Sequence, residues 1–247
     1  MPVLRRNTLD HVIWQSVAGE YPATPRSFAA ADLVLDIGCH TGAFCALAAR
    51  RGASVVGYEA GQANYALACI NTTQLASVRI RWAAVWRSDR APGRLRFVPF
   101  PEPANTGGGS VLFTDPNQHR RHALLWGLTA AAATDSAPAD PGPHDVPSVG
   151  LDAILGELGR VRVLKLDIEG AEFPVLATAT MLHRVDLIVG EYHEFTEAQM
   201  DNLAPEARVG PDRYGGELLL RILASAGFAA TLRPVSPRDG QFTAVRR

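Results

Sequence analysis

The chain has 247 residues, 47% of them apolar and 20% charged, with 24 basic against 25 acidic side chains and a formal net charge of −1. That length suits one large α/β domain able to bury its own core, and the composition is that of an ordinary globular protein. A charge balance so near zero argues against a partner held by phosphate neutralisation, hence against nucleic acid, and against a polybasic membrane anchor.

The opening Met1-Pro-Val-Leu-Arg-Arg has no apolar run behind its arginines and does not read as a signal peptide. No apolar stretch approaches the roughly 18 residues of a membrane span. A short amphipathic helix is expected over 9–17, within a segment 1–30 that would serve as substrate lid or oligomer contact, with a homodimer as one outcome. Leu33-Val-Leu-Asp-Ile37 reads as a strand buried on both faces. A glycine-bounded turn follows at 38–42, then a helix over 43–51 ended by Gly52, a strand over 54–58, a helix over 62–75 and a strand region over 78–85. Another strand is expected over 95–100, in a hairpin with part of 83–87. Residues from about 100 to 147, rich in proline and carrying Gly107-Gly108-Gly109, read as an inserted lid with a helical piece at 119–129. The alternation resumes with a helix over 151–158, a strand over 161–168, a largely helical 171–182, a strand over 185–192 and a helix over 214–226 stopped by Gly227. A hairpin over 229–234 and 241–246 ends the chain. Strands and helices that alternate with short connections predict a Rossmann-like α/β domain over 31–247: about seven strands, mostly parallel, with an antiparallel terminal hairpin and helices on both faces.

Cys39, Cys45 and Cys69 match neither a zinc-knuckle nor a C-x-x-C spacing, and read as free thiols of a reducing, cytoplasmic protein. Two other clusters carry chemistry. The first is Asp36-Ile-Gly38-Cys-His40-Thr41-Gly42 between a buried strand and a helix, with Glu59 at the end of the next strand. Ligands of open α/β sheets bind outside the carboxyl ends of the strands, and an acid at the second strand end is placed to accept from both ribose hydroxyls. A dinucleotide site wants G-x-G-x-x-G for its pyrophosphate. Here the spacing is G-x-x-x-G, and Asp36 would repel phosphate but suits a cationic ligand. S-adenosylmethionine has ribose, adenine, sulfonium and amino acid, and no phosphate. Asp36, Gly38, His40, Thr41, Gly42, Glu59 and Asp167 are the expected cofactor contacts, with Ala83 and Ala84 along the adenine edge.

The second cluster is Lys165-Leu-Asp167-Ile-Glu169-Gly-Ala-Glu172, in which three charges alternate with apolar residues on one strand face. Lys165 is the only lysine against 23 arginines. Charges in a buried strand must be paired or at work. Glu191 and His193 stand two apart at the next strand end and would face the same crevice.

Together with Gly57-Tyr-Glu59 and Val149-Gly-Leu-Asp152, these runs resemble the FkbM-type methyltransferases, in order from about Leu33 to His193. The resemblance implies a class I methyltransferase fold, S-adenosylmethionine as donor, and O-methylation of a small-molecule hydroxyl of the secondary-metabolite (antibiotic), sugar or nucleoside kind. Residues 115–147 depart from the family pattern, so the acceptor's identity does not carry over. The expected catalytic group is His193 as general base, oriented by Glu191 or Asp167, with Lys165 setting the field. The alternative is a magnesium ion on Asp167, Glu169 and Glu191 that acidifies the hydroxyl. Trp14, Trp126 and Tyr214 are candidates for the acceptor pocket. A nicotinamide-dependent oxidoreductase and an inactive nucleoside-binding relative are the competing classes.

Overall fold

The computed structural model describes residues 1–102, 104–113 and 142–247. The expected helix at 119–129, and Trp126 within it, lie outside them. Seven strands form the main sheet in the order β3-β2-β1-β7-β8-β10-β9. They are β1 (Leu33–Ile37), β2 (Ser54–Glu59), β3 (Val78–Trp82), β7 (Val161–Leu166), β8 (Val185–His193), β9 (Phe228–Pro234) and β10 (Asp239–Arg246). All neighbours run parallel up to β8; β10 is antiparallel to both β8 and β9.

The central strands show why continuous apolar runs were needed. Leu35, Ile37, Leu164, Leu166 and Ile188 belong to the core on one face of the sheet, and Val34, Val163, Leu187 and Val189 to the core on the other. Helices cover both faces, as such burial requires. They are α1 (Asp10–Glu20), α2 (Ala43–Arg50), α3 (Gln62–Thr72), α4 (Leu151–Leu158), α5 (Glu172–Thr178), α6 (Glu197–Asp201) and α7 (Gly216–Ser225). Among the described residues no helix is long and apolar enough to cross a membrane.

A second, three-stranded sheet departs from expectation. β4 (Ala84–Trp86), β6 (His144–Gly150) and β5 (Gly93–Phe97) pair in that order. The expected hairpin between 95–100 and part of 83–87 does not form, because β6 stands between the two. Ser148 is in register with Ala84 on one side and Gly93 on the other. The last residues of the expected insert, 144–147, are therefore strand. The run His144-Asp-Val-Pro-Ser-Val-Gly150 carries a proline and no apolar alternation, so only its two partners make it a strand. Tyr214 packs in the core against Phe173 and Phe195 instead of lining a pocket.

Candidate active site

Strand order reverses between β1 and β7, and one cleft opens there. Gly38 and His40 after β1 line it, with Glu59 at the end of β2 and Ala83 and Ala84 at β4. Lys165 on β7, Asp167 and Glu169 after it, and Glu191 on β8 complete that wall.

The turn after β1 is fixed by its glycines and by Glu59. Gly38 has φ +76°, and a Cβ there would lie 1.9 Å from the Asp167 carbonyl oxygen, so only glycine fits. His40 shares the left-handed region at φ 51°. Its N–H donates to Glu59 Oε2 at 2.8 Å, and the Gly61 N–H donates to Oε1 at 2.8 Å. Each carboxylate oxygen keeps a lone pair for a ligand. Burial pushes the Glu59 carboxyl up.

Three residues expected to touch the cofactor stand behind the wall. Asp36 is fully buried, with Oδ1 3.3 Å from Lys165 Nζ and Oδ2 accepting the Cys45 thiol at 3.1 Å. Thr41 is buried, and its carbonyl accepts from the Asn71 side chain at 3.0 Å. Gly42 caps α2 and faces Ala68 and Thr72 of α3. All three shape the turn from outside the cleft.

Asp36 and Lys165 are register partners on β1 and β7, so the ion pair follows from the pairing of the strands. Lys165 Nζ donates to the Gly38 carbonyl at 2.6 Å and lies 3.5 Å from Asp167. Burial works against its charge, but Asp36 and Asp167 prevail and hold its pKa above the usual lysine value. Beyond Asp167 the cleft turns acidic. Tyr21 donates its hydroxyl to Asp167 Oδ2 at 3.2 Å. Glu20, Glu169 and Glu191 complete this end. Burial, then the neighbouring Asp167, pushes Glu191 up to about 8; burial first, opposed by His193, leaves Glu169 at about 7.

His193 is not among the residues that line the cleft; it stands behind Glu169, which does. It is 6% exposed, with Nε2 3.4 Å from Glu169 and Nδ1 3.8 Å from Glu172. Burial opposes its charge, yet the carboxylates of Glu172 and Glu169 beside it push it up to about 10. An imidazole held protonated has no lone pair with which to take a proton, so the geometry does not suit the expected base. The magnesium ligand set does not assemble either. Asp167 faces Lys165 and Tyr21, and Glu169 faces His193. Among the described residues no group of three or more His, Cys, Asp or Glu side chains is arranged to hold a metal ion.

The contribution of α1 exceeds expectation. Ile13, Val17, Glu20 and Tyr21 line the cleft at the i, i+4, i+7, i+8 spacing of one helix face. The signal was present, but three of its residues fall at or past the expected helix end at 17. Phe97, Ser110 and Val111 also line it, brought there by the small sheet and the loop after it.

A sheet ordered β3-β2-β1-β7-β8-β10-β9, with a cleft at the reversal and an acid closing β2, defines a class I methyltransferase. The methyltransferase FkbM domain model matches residues 36–228, and the chain belongs to that family. No curated protein matches the sequence. Among solved structures, the chain is similar to the N-terminal domain of EvdMO1 with SAH bound, at 14% identity and TM-score 0.46 over 95% of this chain and 79% of that one. It is also similar to a precorrin-6y C5,15-methyltransferase from Geobacter metallireducens, at 9% identity and TM-score 0.47 over 100% and 94%. An O-methyltransferase family protein from Burkholderia thailandensis follows, at 11% identity and TM-score 0.46 over 96% and 56%.

Proposed function

We propose that the cleft takes S-adenosylmethionine and transfers its methyl group to a hydroxyl of a small molecule. The observation that carries this reading is the chemistry of the wall. Among the described residues lining the cleft, Lys165 is the only Lys or Arg, and its charge is already spent on Asp36, Asp167 and the Gly38 carbonyl. A pyrophosphate would find no free cation, whereas a positively charged sulfur nucleoside suits an acidic cleft. Glu59 would receive the ribose hydroxyls, Ala83, Ala84 and Val85 the adenine, and Asp167 the ammonium end. The bound donor supplies an electrophilic methyl group on a sulfonium.

The chain's own residues position the acceptor and remove its proton. A neutral amine attacks through a free lone pair, but an alcohol is a poor nucleophile until its proton leaves. Glu191 lines the cleft, and burial with the charge of Asp167 beside it pushes its carboxyl up to about 8, close to the operating pH a general base wants. Asp167, held between Lys165 and Tyr21, is a fixed hydrogen-bond acceptor beside it. His193, a buried cation against Glu169 and Glu172, is a positioning residue for Glu169. The test is transfer of label from methyl-tritiated S-adenosylmethionine to a panel of alcohols, phenols and methyl glycosides. Glu191→Gln is expected to lower turnover about 10²–10⁴-fold, the usual contribution of a general base, with S-adenosylhomocysteine affinity unchanged. A variant with full turnover removes Glu191 from the role.

A further inference from the structure

The chain ahead of residue 36, outside the family match, reaches back over the cleft. Arg5 grips Asp10 with Nε to Oδ2 at 2.9 Å and Nη2 to Oδ1 at 3.0 Å, and its backbone N–H donates to Oδ2 at 3.0 Å. The same guanidinium donates to Asn64 Oδ1 on α3 at 2.6 Å. The Thr106 hydroxyl donates to Asp10 Oδ1 at 2.6 Å and lies 3.0 Å from His40 Nε2. The Asn64 side chain donates to the Thr106 carbonyl at 2.9 Å, and the Leu9 N–H to the Ala104 carbonyl at 2.9 Å. One carboxylate, itself 0% exposed, thus joins the arm and α1 to the turn after β1, to α3 and to the loop at 104–110.

Two members of this network, His40 and Asn64, line the cleft. Burial keeps His40 down at about 4 and therefore neutral. Burial opposes the charge of Asp10, but bonds from Arg5 and Thr106 hold it at about 2. A buried carboxylate is costly unless fully paired. The fold of α1 does not account for one, since Val17 is the only other buried residue of that helix. Val17 and Tyr21 seat on the core with Phe44, but the contacts ahead of them, from Arg5 to Asp10, are polar and can break and re-form while exposing little apolar surface.

We propose that the N-terminal arm is a movable wall of the nucleoside site, latched through Asp10. Asp10 is then a positioning residue that acts through His40 and Asn64, and the arm swings outward for the donor to enter and leave. This inference rests on the reading of the cleft as a sulfur-nucleoside site.

The experiment is stopped-flow mixing of the full chain with S-adenosylhomocysteine, followed by tryptophan fluorescence, since Trp14 sits on α1. Asp10→Asn, Arg5→Gln and Thr106→Ala are each expected to speed ligand release about tenfold or more. Arg5→Gln, which leaves Asp10 buried without its cation, is expected to lower the ligand-free melting temperature most, so release is compared for each variant at a temperature where it is fully folded. The Asp10→Asn/Arg5→Gln double variant is expected to release no faster than the quicker single one, because both remove the same contact. Should Asp10→Asn fail to fold, Arg5→Gln and Thr106→Ala decide. Unchanged release rate and affinity in the variants that keep a native circular dichroism spectrum overturn the proposal. A wild type that binds no S-adenosylhomocysteine overturns the underlying reading of the cleft instead.

Discussion

At the scale of single residues, the buried charges decide what the site can do. In a chain with 23 arginines, the one lysine stands where a compact ammonium must fit between Asp36, Asp167 and a backbone carbonyl 2.6 Å away. Lys165→Met leaves Asp36 buried without its cation. It is expected to cost about 3–5 kcal/mol in urea unfolding, and a loss below about 1 kcal/mol would contradict the pairing. The acids and His193 also set a pH dependence of stability. Glu169 and Glu191 rise from 4.5 to about 7 and about 8, and His193 from 6.5 to about 10. In each case the folded state binds the proton more tightly, so stability is lost as pH rises: through about 4.5–8 for the glutamates and about 6.5–10 for the histidine. The melting temperature is expected to fall from pH 5 to pH 10, and Glu191→Gln to flatten its lower half. A wild-type curve that rises over this range would contradict these assignments. Alternation of charge with apolar residues marked Lys165 and Asp167 from sequence, and both line the cleft. It could not show that His193 turns toward Glu169 and Glu172, because that depends on how the ends of β7 and β8 meet.

At the scale of elements, the glycine turn and the strands beside it were the most legible parts. β1 and α4 have the bounds the sequence suggested, since an uninterrupted apolar run and a glycine-flanked amphipathic segment each leave one choice. β6 was not legible: its strand state comes from β4 and β5 on either side, and nothing local announces it. The exclusion of Asp36, Thr41 and Gly42 from the cleft has the same origin. A motif gives spacing, but which side of a turn faces the ligand depends on α2 and α3 packed behind it. Two glycine substitutions separate these cases. Gly38→Ala would drive a Cβ into the Asp167 carbonyl, and is expected to abolish S-adenosylhomocysteine binding and lower the melting temperature. Gly156→Ala, inside α4 with its nearest outside neighbour 4.0 Å away, is expected to stabilise by about 0.5–1 kcal/mol in urea unfolding. Equal behaviour of the two would contradict the account of the turn.

At the scale of the whole molecule, a sheet buried on both faces brings four strand ends to one cleft, and the N-terminal arm covers it from outside the family-matched region. Sequence periodicity predicts such a sheet well because each central strand must be apolar on both sides. It says little about the covering arm, whose latch is polar and whose latch partners lie 35–96 residues away along the chain. The proposed function requires this cleft to take a phosphate-free sulfur nucleoside. Calorimetric titration of the wild type with S-adenosylhomocysteine and, separately, with NAD tests it most directly. Saturable heat with the first and none with the second is the expected result; heat only with NAD would contradict the account.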